Sequence, residues 1–325
     1  AKVKSVFVGA PAVTYGLTVE EDHSHVTGGI VTHNTGRLSS SGPNLQNIPR
    51  AENDKWGLRK SFIPEPGMSI IAADYEQLEM RLLAAGAMEP KMLQIFADGK
   101  DIHTGNVEMV YGIAYEDVVN ARKIDKLIKQ GDLPETDRLP SVLQAVKARN
   151  DIKAVGFGLN YGMGANKLAR QLGISKGDAD DLIEKYMTAY PAVAQFFKDA
   201  VAETDRTGYA FTVMGRRRNI PQIRSFKKSE RAQGERLACN TQIQGSAADV
   251  CKLAQINMWK VDLEGRYGCR QLLNIHDEVV FECPTENVKE ALEEIIDLME
   301  HPFSRDLAVH LAVDTGHGIS WGAAK

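Results

Sequence analysis

The sequence predicts a mixed α+β protein, on three observations. Short apolar runs of strand length end in turn residues or acids, longer stretches place apolar residues at helical spacing, and no internal repeat organises the two. In chain order, the first 34 residues carry β-rich runs at 3–8 and 13–19, then Gly28-Gly29 and Ile30-Val31. These predict a few small strands in a piece too short to fold alone. Residues 35–49 are polar and turn-rich, and residues 69–74 form an apolar run closing on Asp74, which predicts a buried strand. Leu78, Leu82, Leu83 and Ala87 then share one helical face. Residues 117–146 read as a charged, helix-rich insertion broken by Gly131 and Pro134, and residues 149–172 as one long helix. Leu182, Ile183, Tyr186, Met187 and Tyr190 mark another helix. Residues 209–220 read as strand, basic turn, strand, and residues 235–258 as helix. Residues 272–283 are two β runs around His276-Asp277-Glu278, and Val288, Leu292, Ile295, Ile296 and Met299 make the last amphipathic helix.

Composition narrows the function classes. At roughly 150 residues per domain, 325 residues predict about two domains. With 43% hydrophobic and 25% charged residues, the chain is no disordered, collagen-like or disulfide-scaffold protein. No run approaches the ~18 apolar residues of a membrane helix, and no leader opens the chain, so a cytoplasmic protein without a membrane partner is expected. Cys239, Cys251, Cys269 and Cys283 form no C-x-x-C pair and read as reduced thiols. The first residue is Ala1 rather than Met, which suggests a processed product or a piece of a longer reading frame. The net charge of −4 argues weakly against nucleic acid, but residues 216–236 hold eight basic residues against two acidic ones, Glu230 and Glu235. That cluster is either a phosphate-holding patch or a solvated run, and charge alone leaves both open.

Two acids stand where chemistry could use them. Asp74 ends a strand, and Asp277 sits in a tight turn followed by Glu278. Carboxylates at a strand end and a hairpin tip can hold two Mg²⁺ ions about 3.5–4 Å apart, and Mg²⁺ keeps open positions for substrate phosphates. Acids are also common in turns, so this signal is weak by itself. Arg149, Lys153, Phe157 and Tyr161 continue an i, i+4 series along one helix face. The cations suit a triphosphate and the aromatics a base and sugar; a partly buried amphipathic helix is the plain alternative.

At this point the residues carry a resemblance. TGRLSSSGPNLQNIP (35–49), DYEQLEMR (74–81), RNDIKAVGFGLNYG (149–162) and LLNIHDEVVFE (272–282) match, in order, the motifs of family A DNA polymerases of the DNA polymerase I type. DIH (101–103) and ERLACNTQIQGSAAD (235–249) match between them, and the likeness spans residues 35–325. It implies the palm and fingers of a polymerase right hand, an antiparallel palm sheet with helical fingers. The implied domains are palm at 35–100 and 235–325, and fingers at 101–234 with an insertion near 117–147. The implied reaction is attack of a primer 3′-OH on the α-phosphate of a dNTP, releasing pyrophosphate, with primer–template DNA and dNTPs as partners.

The residue roles follow from the same resemblance. Asp74, Asp277 and the Tyr75 carbonyl would bind two Mg²⁺, with Glu278 supporting them from nearby. Arg149, Lys153 and His103 would hold the triphosphate, and Lys153 would protonate the leaving group. Phe157 would lie against sugar and base, and a Phe there implies discrimination against dideoxynucleotides. Glu79 would block a 2′-OH and partner Tyr161, with Gln77 beside that pocket. Arg37, Arg236, Asn240, Gln244 and His276 would contact primer–template, largely in the minor groove, whose code is degenerate. Glu76 departs from the small residue often found after the Asp-Tyr pair. A thumb and a 3′→5′ exonuclease would lie upstream of Thr35, so proofreading is not expected within these residues.

Residues 1–34 carry a second resemblance. TYGLTVEEDHSHVTGGIVTHN, ending at Asn34 and followed by Thr35, is similar to the C-terminal splicing block of an intein, with His23 ten residues before His33. In that chemistry the Asn34 amide cyclises onto its own carbonyl, the histidines move protons, and Thr35 accepts the upstream polypeptide as an ester. The length matches a split-intein C-fragment, which implies a partner: an upstream polymerase half bearing the N-terminal intein fragment. Gly16 stands where many inteins have Asp, seven residues before His23, so premature cleavage is expected. A piece of a contiguous intein-containing polymerase is the competing reading. A non-catalytic DNA-binding remnant and a single-subunit RNA polymerase are further rivals, which intact Asp74, Lys153 and Asp277, and Glu79 with TGRLSS, respectively disfavour.

Overall fold

The computed structural model describes residues 16–18, 25–27, 30–32, 36–40, 44–49, 54, 56–160 and 162–324. The chain divides into two compact units, one made of residues 1–78, 244–306 and 311–325, the other of residues 79–243 and 307–310.

The first unit opens with four short strands, β1 (Gly16–Thr18), β2 (His25–Thr27), β3 (Ile30–Thr32) and β4 (Leu38–Ser39), paired antiparallel in that order. The predicted runs at 3–8 and most of 13–19 lie outside the described residues. β5 (Met68–Tyr75) is the expected apolar strand, one residue longer at each end.

The second unit is almost wholly helical. It holds α1 (Leu78–Ala87, entered at Glu79), α2 (Pro90–Ala97), α3 (Ile102–Tyr111), α4 (Tyr115–Gln130), α5 (Pro140–Asn160), α6 (Ala165–Leu172), α7 (Lys176–Ala189) and α8 (Pro191–Thr207). Sequence-local signals end and start these helices. Gly131 stops α4 in the left-handed conformation, and Ser175 with Asp178 forms a capping box on α7. The buried Glu89 carboxylate accepts from the Lys91 and Ala192 amides, capping α2 and α8 together. Met80, Leu83, Ile102, Ile152, Tyr186 and Val193 lie in one core. A short hairpin, β6 (Tyr209–Phe211) and β7 (Arg217–Asn219), precedes α9 (Lys228–Asn240).

The expected single helix over 149–172 is in fact two. Gly162 adopts φ 63°, and a Cβ there would lie 2.7 Å from the Cβ of Arg236 and 2.8 Å from its Cα. The turn needs both the left-handed backbone and the missing side chain, so α5 stops and α6 starts afresh. The helix expected over 235–258 is likewise interrupted, by a π-helical turn at Thr241–Gly245.

The chain then returns to the first unit with α10 (Ser246–Lys260), α11 (Leu263–Tyr267), β8 (Arg270–Ile275), β9 (Glu278–Pro284), α12 (Val288–Glu300) and β10 (Val313–Gly318). These complete an antiparallel sheet in the order β10-β5-β9-β8. Alternation along β5 puts Ile70 and Ala72 on one face, packed with Val280, Ile275 and Trp321. It puts Tyr75 on the other, where its hydroxyl donates to the Met299 carbonyl of α12 at 2.7 Å. β10 has no counterpart in the sequence reading: Val313-Asp314-Thr315-Gly316-His317-Gly318 shows no apolar alternation, and pairing with β5 makes it a strand.

Candidate active site

In the first unit, Asp74 is the penultimate residue of β5. Its cross-strand partners are Glu278 on β9 and Asp314 on β10, so three acids stand side by side in register at one end of the sheet. Asp277 lies in the two-residue turn joining β8 to β9. The residue before it, His276, has φ 59°, a left-handed conformation suited to a tight hairpin. A non-glycine residue adopts it at a cost of about 1–3 kcal/mol. Two interactions hold the turn. The Tyr75 amide donates to the Asp277 carbonyl at 3.3 Å. The Gln46 side chain spans the hairpin, donating from Nε2 to the Asn274 carbonyl and accepting at Oε1 from the His276 amide at 3.0 Å. Burial raises the Cys251 thiol on α10, Asp277 raises it further, Arg37 opposes and Asp74 adds. That thiol therefore lies within the field of both aspartates and of Arg37.

Glu278 is turned elsewhere. Glu278 is 4% exposed, with Oε2 3.1 Å from Arg59 Nη1 and Oε1 accepting from Trp321 Nε1 at 2.9 Å. Among the described residues, no group of three or more His, Cys, Asp or Glu is arranged to hold a metal ion. The Asp74 and Asp277 pair is nevertheless a hard oxygen donor set, which fits an ion such as Mg²⁺ that takes few protein ligands.

In the second unit, α5 presents Arg149, Lys153 and Phe157 at four-residue spacing, with the exposed Lys153 Nζ 5.9 Å from the Phe157 ring centroid. His103 on α3 packs its ring 5.2 Å from the same ring, tilted by 46°. Burial is the main cause that lowers the His103 imidazole to about 4; Asp101 opposes it, and Arg149, Lys153 and Arg122 add to it. His103 is therefore a neutral group at physiological pH, 3% exposed, and its Nδ1 has no partner among the described residues. Arg149 is gripped by Asp101 and Thr104. Burial would raise the Asp101 carboxyl, but Thr104 and Arg149 together hold it below the ordinary value.

Of the other predicted residues, Glu79 is buried at the start of α1 and Gln77, just before it, takes φ 54°. Arg236 and Asn240 lie on α9, and Gln244 is buried in the π-helical turn. Tyr161, His23, His33, Asn34 and Thr35 lie outside the described residues. Sequence reasoning missed Gln46, Arg59, Asp101, Asp314 and Trp321. Gln46 stands inside the 35–49 motif and Asp101 inside DIH, so both carried a signal. Arg59, Asp314 and Trp321 carried none.

The model of DNA polymerase family A matches residues 5–131 and 139–323. The chain belongs to this family. The unmatched residues 132–138 of this family A chain fall inside the segment read as an insertion. It is 37% identical to DNA polymerase I of Bacillus subtilis over 293 residues, 90% of this chain and 30% of that one. It is 36% identical to the thermostable DNA polymerase I of Thermus aquaticus over 291 residues, 90% of this chain and 31% of that one. DNA polymerase I of Rhizobium leguminosarum is 35% identical over 330 residues, 99% of this chain and 29% of that one. The chain thus spans about a third of the length of these relatives. Its fold is similar to the POL domain of Pol1 from M. smegmatis, solved in complex with DNA primer-template and dNTP. That likeness has a TM-score of 0.77 and 32% identity, and covers 94% of this chain and 50% of that one. No helix among the described residues is long and apolar enough to cross a membrane.

Proposed function

We propose that this chain is the catalytic portion of a DNA-directed DNA polymerase, adding dNTPs to a primer 3′-OH. The observation that carries the reading is the pair Asp74 and Asp277 at one end of an antiparallel sheet in a family A chain, their turn pinned by Gln46. In this reading residues 35–100 and 235–325 are the palm and residues 101–234 the fingers. Asp74, Asp277 and the Tyr75 carbonyl would hold two Mg²⁺, which when bound neutralise the charge gathered by the reacting phosphate.

The chain's own groups do the rest. Arg149 and Lys153 bind the triphosphate as cations, and His103, being neutral, can serve it only as a hydrogen-bond donor. The primer 3′-hydroxyl gives its proton to solvent as its oxygen bonds the α-phosphorus, the bond from that phosphorus to the oxygen bridging to the β-phosphate breaks, and Lys153 Nζ gives its proton to the departing pyrophosphate. Phe157 lies against the nucleotide, and Glu79 excludes a 2′-OH with Gln77 and Tyr161 beside it. Arg37, Arg236, Asn240, Gln244 and His276 orient primer–template. The test is primer extension with dNTPs against rNTPs. Extension that survives both Asp74→Ala and Asp277→Ala would end the reading.

The finer reading concerns residues 1–34: an intein C-terminal fragment, removed by splicing to an upstream half, with His23, His33, Asn34 and Thr35 as its reacting groups. The His spacing and the junction with TGRLSS support it. The family match beginning at residue 5, and the Rhizobium match over 99%, favour polymerase sequence there instead. Peptide mass spectrometry across Thr35 decides. Foreign residues preceding TGR mean splicing; an intact GGIVTHNTGR in the mature polymerase overturns it.

A further inference from the structure

Glu278 is the unusual carboxylate of this site. It follows Asp277 in the chain and faces Asp74 across the sheet, yet it is buried. A carboxylate next to one acid in sequence and opposite another in register adds repulsion unless its charge is paired. A buried carboxylate also needs a paired charge and filled hydrogen bonds.

Arg59 and Trp321 supply both. Arg59 Nη1 lies 3.1 Å from Glu278 Oε2 and 3.4 Å from Oε1, and Trp321 Nε1 donates to Oε1 at 2.9 Å. The two partners also hold each other, with the guanidinium 3.9 Å above the centroid of the indole. Each is anchored independently. Arg59 Nε donates to the Pro49 carbonyl at 2.8 Å, and its amide donates to Asp54 Oδ2 at 2.9 Å. The Trp321 amide donates to the Phe62 carbonyl at 2.9 Å, and the Phe62 ring meets the indole edge-on at 5.4 Å. Gly322 packs so tightly that a Cβ would lie 2.8 Å from Lys60 Cγ and 3.2 Å from the Arg59 carbonyl carbon. The pair is therefore a rigid block, not two mobile surface side chains.

We propose that Arg59 and Trp321 are positioning residues for the metal-binding aspartates. By locking the Glu278 carboxylate into the interior, they fix the start of β9 and hence Asp277. They also remove a third negative charge from beside Asp74. Glu278 is then the link through which the 320–324 segment sets the metal site, rather than a ligand. This rests on the assignment of Asp74 and Asp277 as metal ligands in the proposed function.

The test measures metal binding directly, with Mn²⁺ as a paramagnetic stand-in for Mg²⁺, by electron paramagnetic resonance on the purified full chain without DNA. Trp321→Phe keeps the ring and loses the N–H; Arg59→Lys keeps the charge and loses the planar fork. Each is expected to weaken Mn²⁺ binding about tenfold, in the range for groups that orient a ligand. Both should lower kcat with the dNTP KM unchanged, while circular dichroism stays that of the parent. Lys60→Ala, which trims an exposed side chain beside Gly322, should bind Mn²⁺ like the parent. If Asp74→Asn abolishes Mn²⁺ binding but the Trp321 and Arg59 variants bind as the parent does, positioning is wrong and the metal assignment stands. If Asp74→Asn also binds like the parent, the metal assignment falls and the positioning with it.

Discussion

The Arg149 guanidinium is held by the Asp101 carboxylate, with Nη2 3.0 Å from Oδ1 and 3.2 Å from Oδ2 and Nε 3.2 Å from Oδ1. Asp101 also caps α3 through the Thr104 amide at 2.8 Å. One carboxylate thus starts a helix and orients the cation proposed for the triphosphate. Asp101→Ala should cost about 3 kcal/mol, since it loses the cap and strands a largely buried guanidinium. Asp101→Asn keeps a capping oxygen and should cost less than half as much. Urea unfolding of the two variants checks this.

His103 gives stability a pH dependence. Its folded value, about 4, lies below the unfolded value of about 6.5. Between those values the unfolded chain binds a proton that the folded chain refuses. Stability is therefore full above about pH 6.5 and is lost as pH falls towards 4, by about 3 kcal/mol. In His103→Gln that part of the slope should vanish. Denaturant midpoints from pH 4.5 to 7.5 for both proteins give the comparison.

Gly162→Ala should be severe for one residue. The new Cβ would meet both a left-handed backbone and the main chain of Arg236 at 2.8 Å. The expected loss is about 2–4 kcal/mol, above the ~1 kcal/mol of a left-handed penalty alone. A thermal shift no larger than that of Gly164→Ala, where nothing lies within 4 Å, would contradict the clash.

Tyr75 separates side chain from backbone. Its hydroxyl serves Met299, and the reading uses only its carbonyl. Tyr75→Phe should lose about 1 kcal/mol of stability and leave primer-extension rates within about twofold.

Gln46→Ala tests the hairpin. It removes both bonds that bridge Asn274 and His276. The prediction is a kcat lowered about tenfold with DNA affinity nearly unchanged, because a misplaced carboxylate acts on the chemical step. Single-turnover kinetics at saturating DNA would show it.

The elements whose signals are local could be read along the chain. The apolar run into Asp74, the paired runs around Asp277, and the Arg149–Lys153–Phe157 stripe each read directly, because strand and helix periodicity write themselves into neighbouring residues. The motif order also sufficed to place residues 35–325 in a family. What depends on distant partners came only from the packed fold. Gly162 ends a helix because Arg236, 74 positions on, leaves no room for a side chain. Val313–Gly318 is a strand because β5 needs an edge partner. In the sequence Glu278 reads as a further carboxylate beside Asp277, supporting the proposed metal site. It is withdrawn into the interior by Arg59, 219 residues before it, and by Trp321, 43 residues after it. A buried charge is settled by whichever opposite charge the fold delivers, and no spacing rule along the chain encodes that meeting.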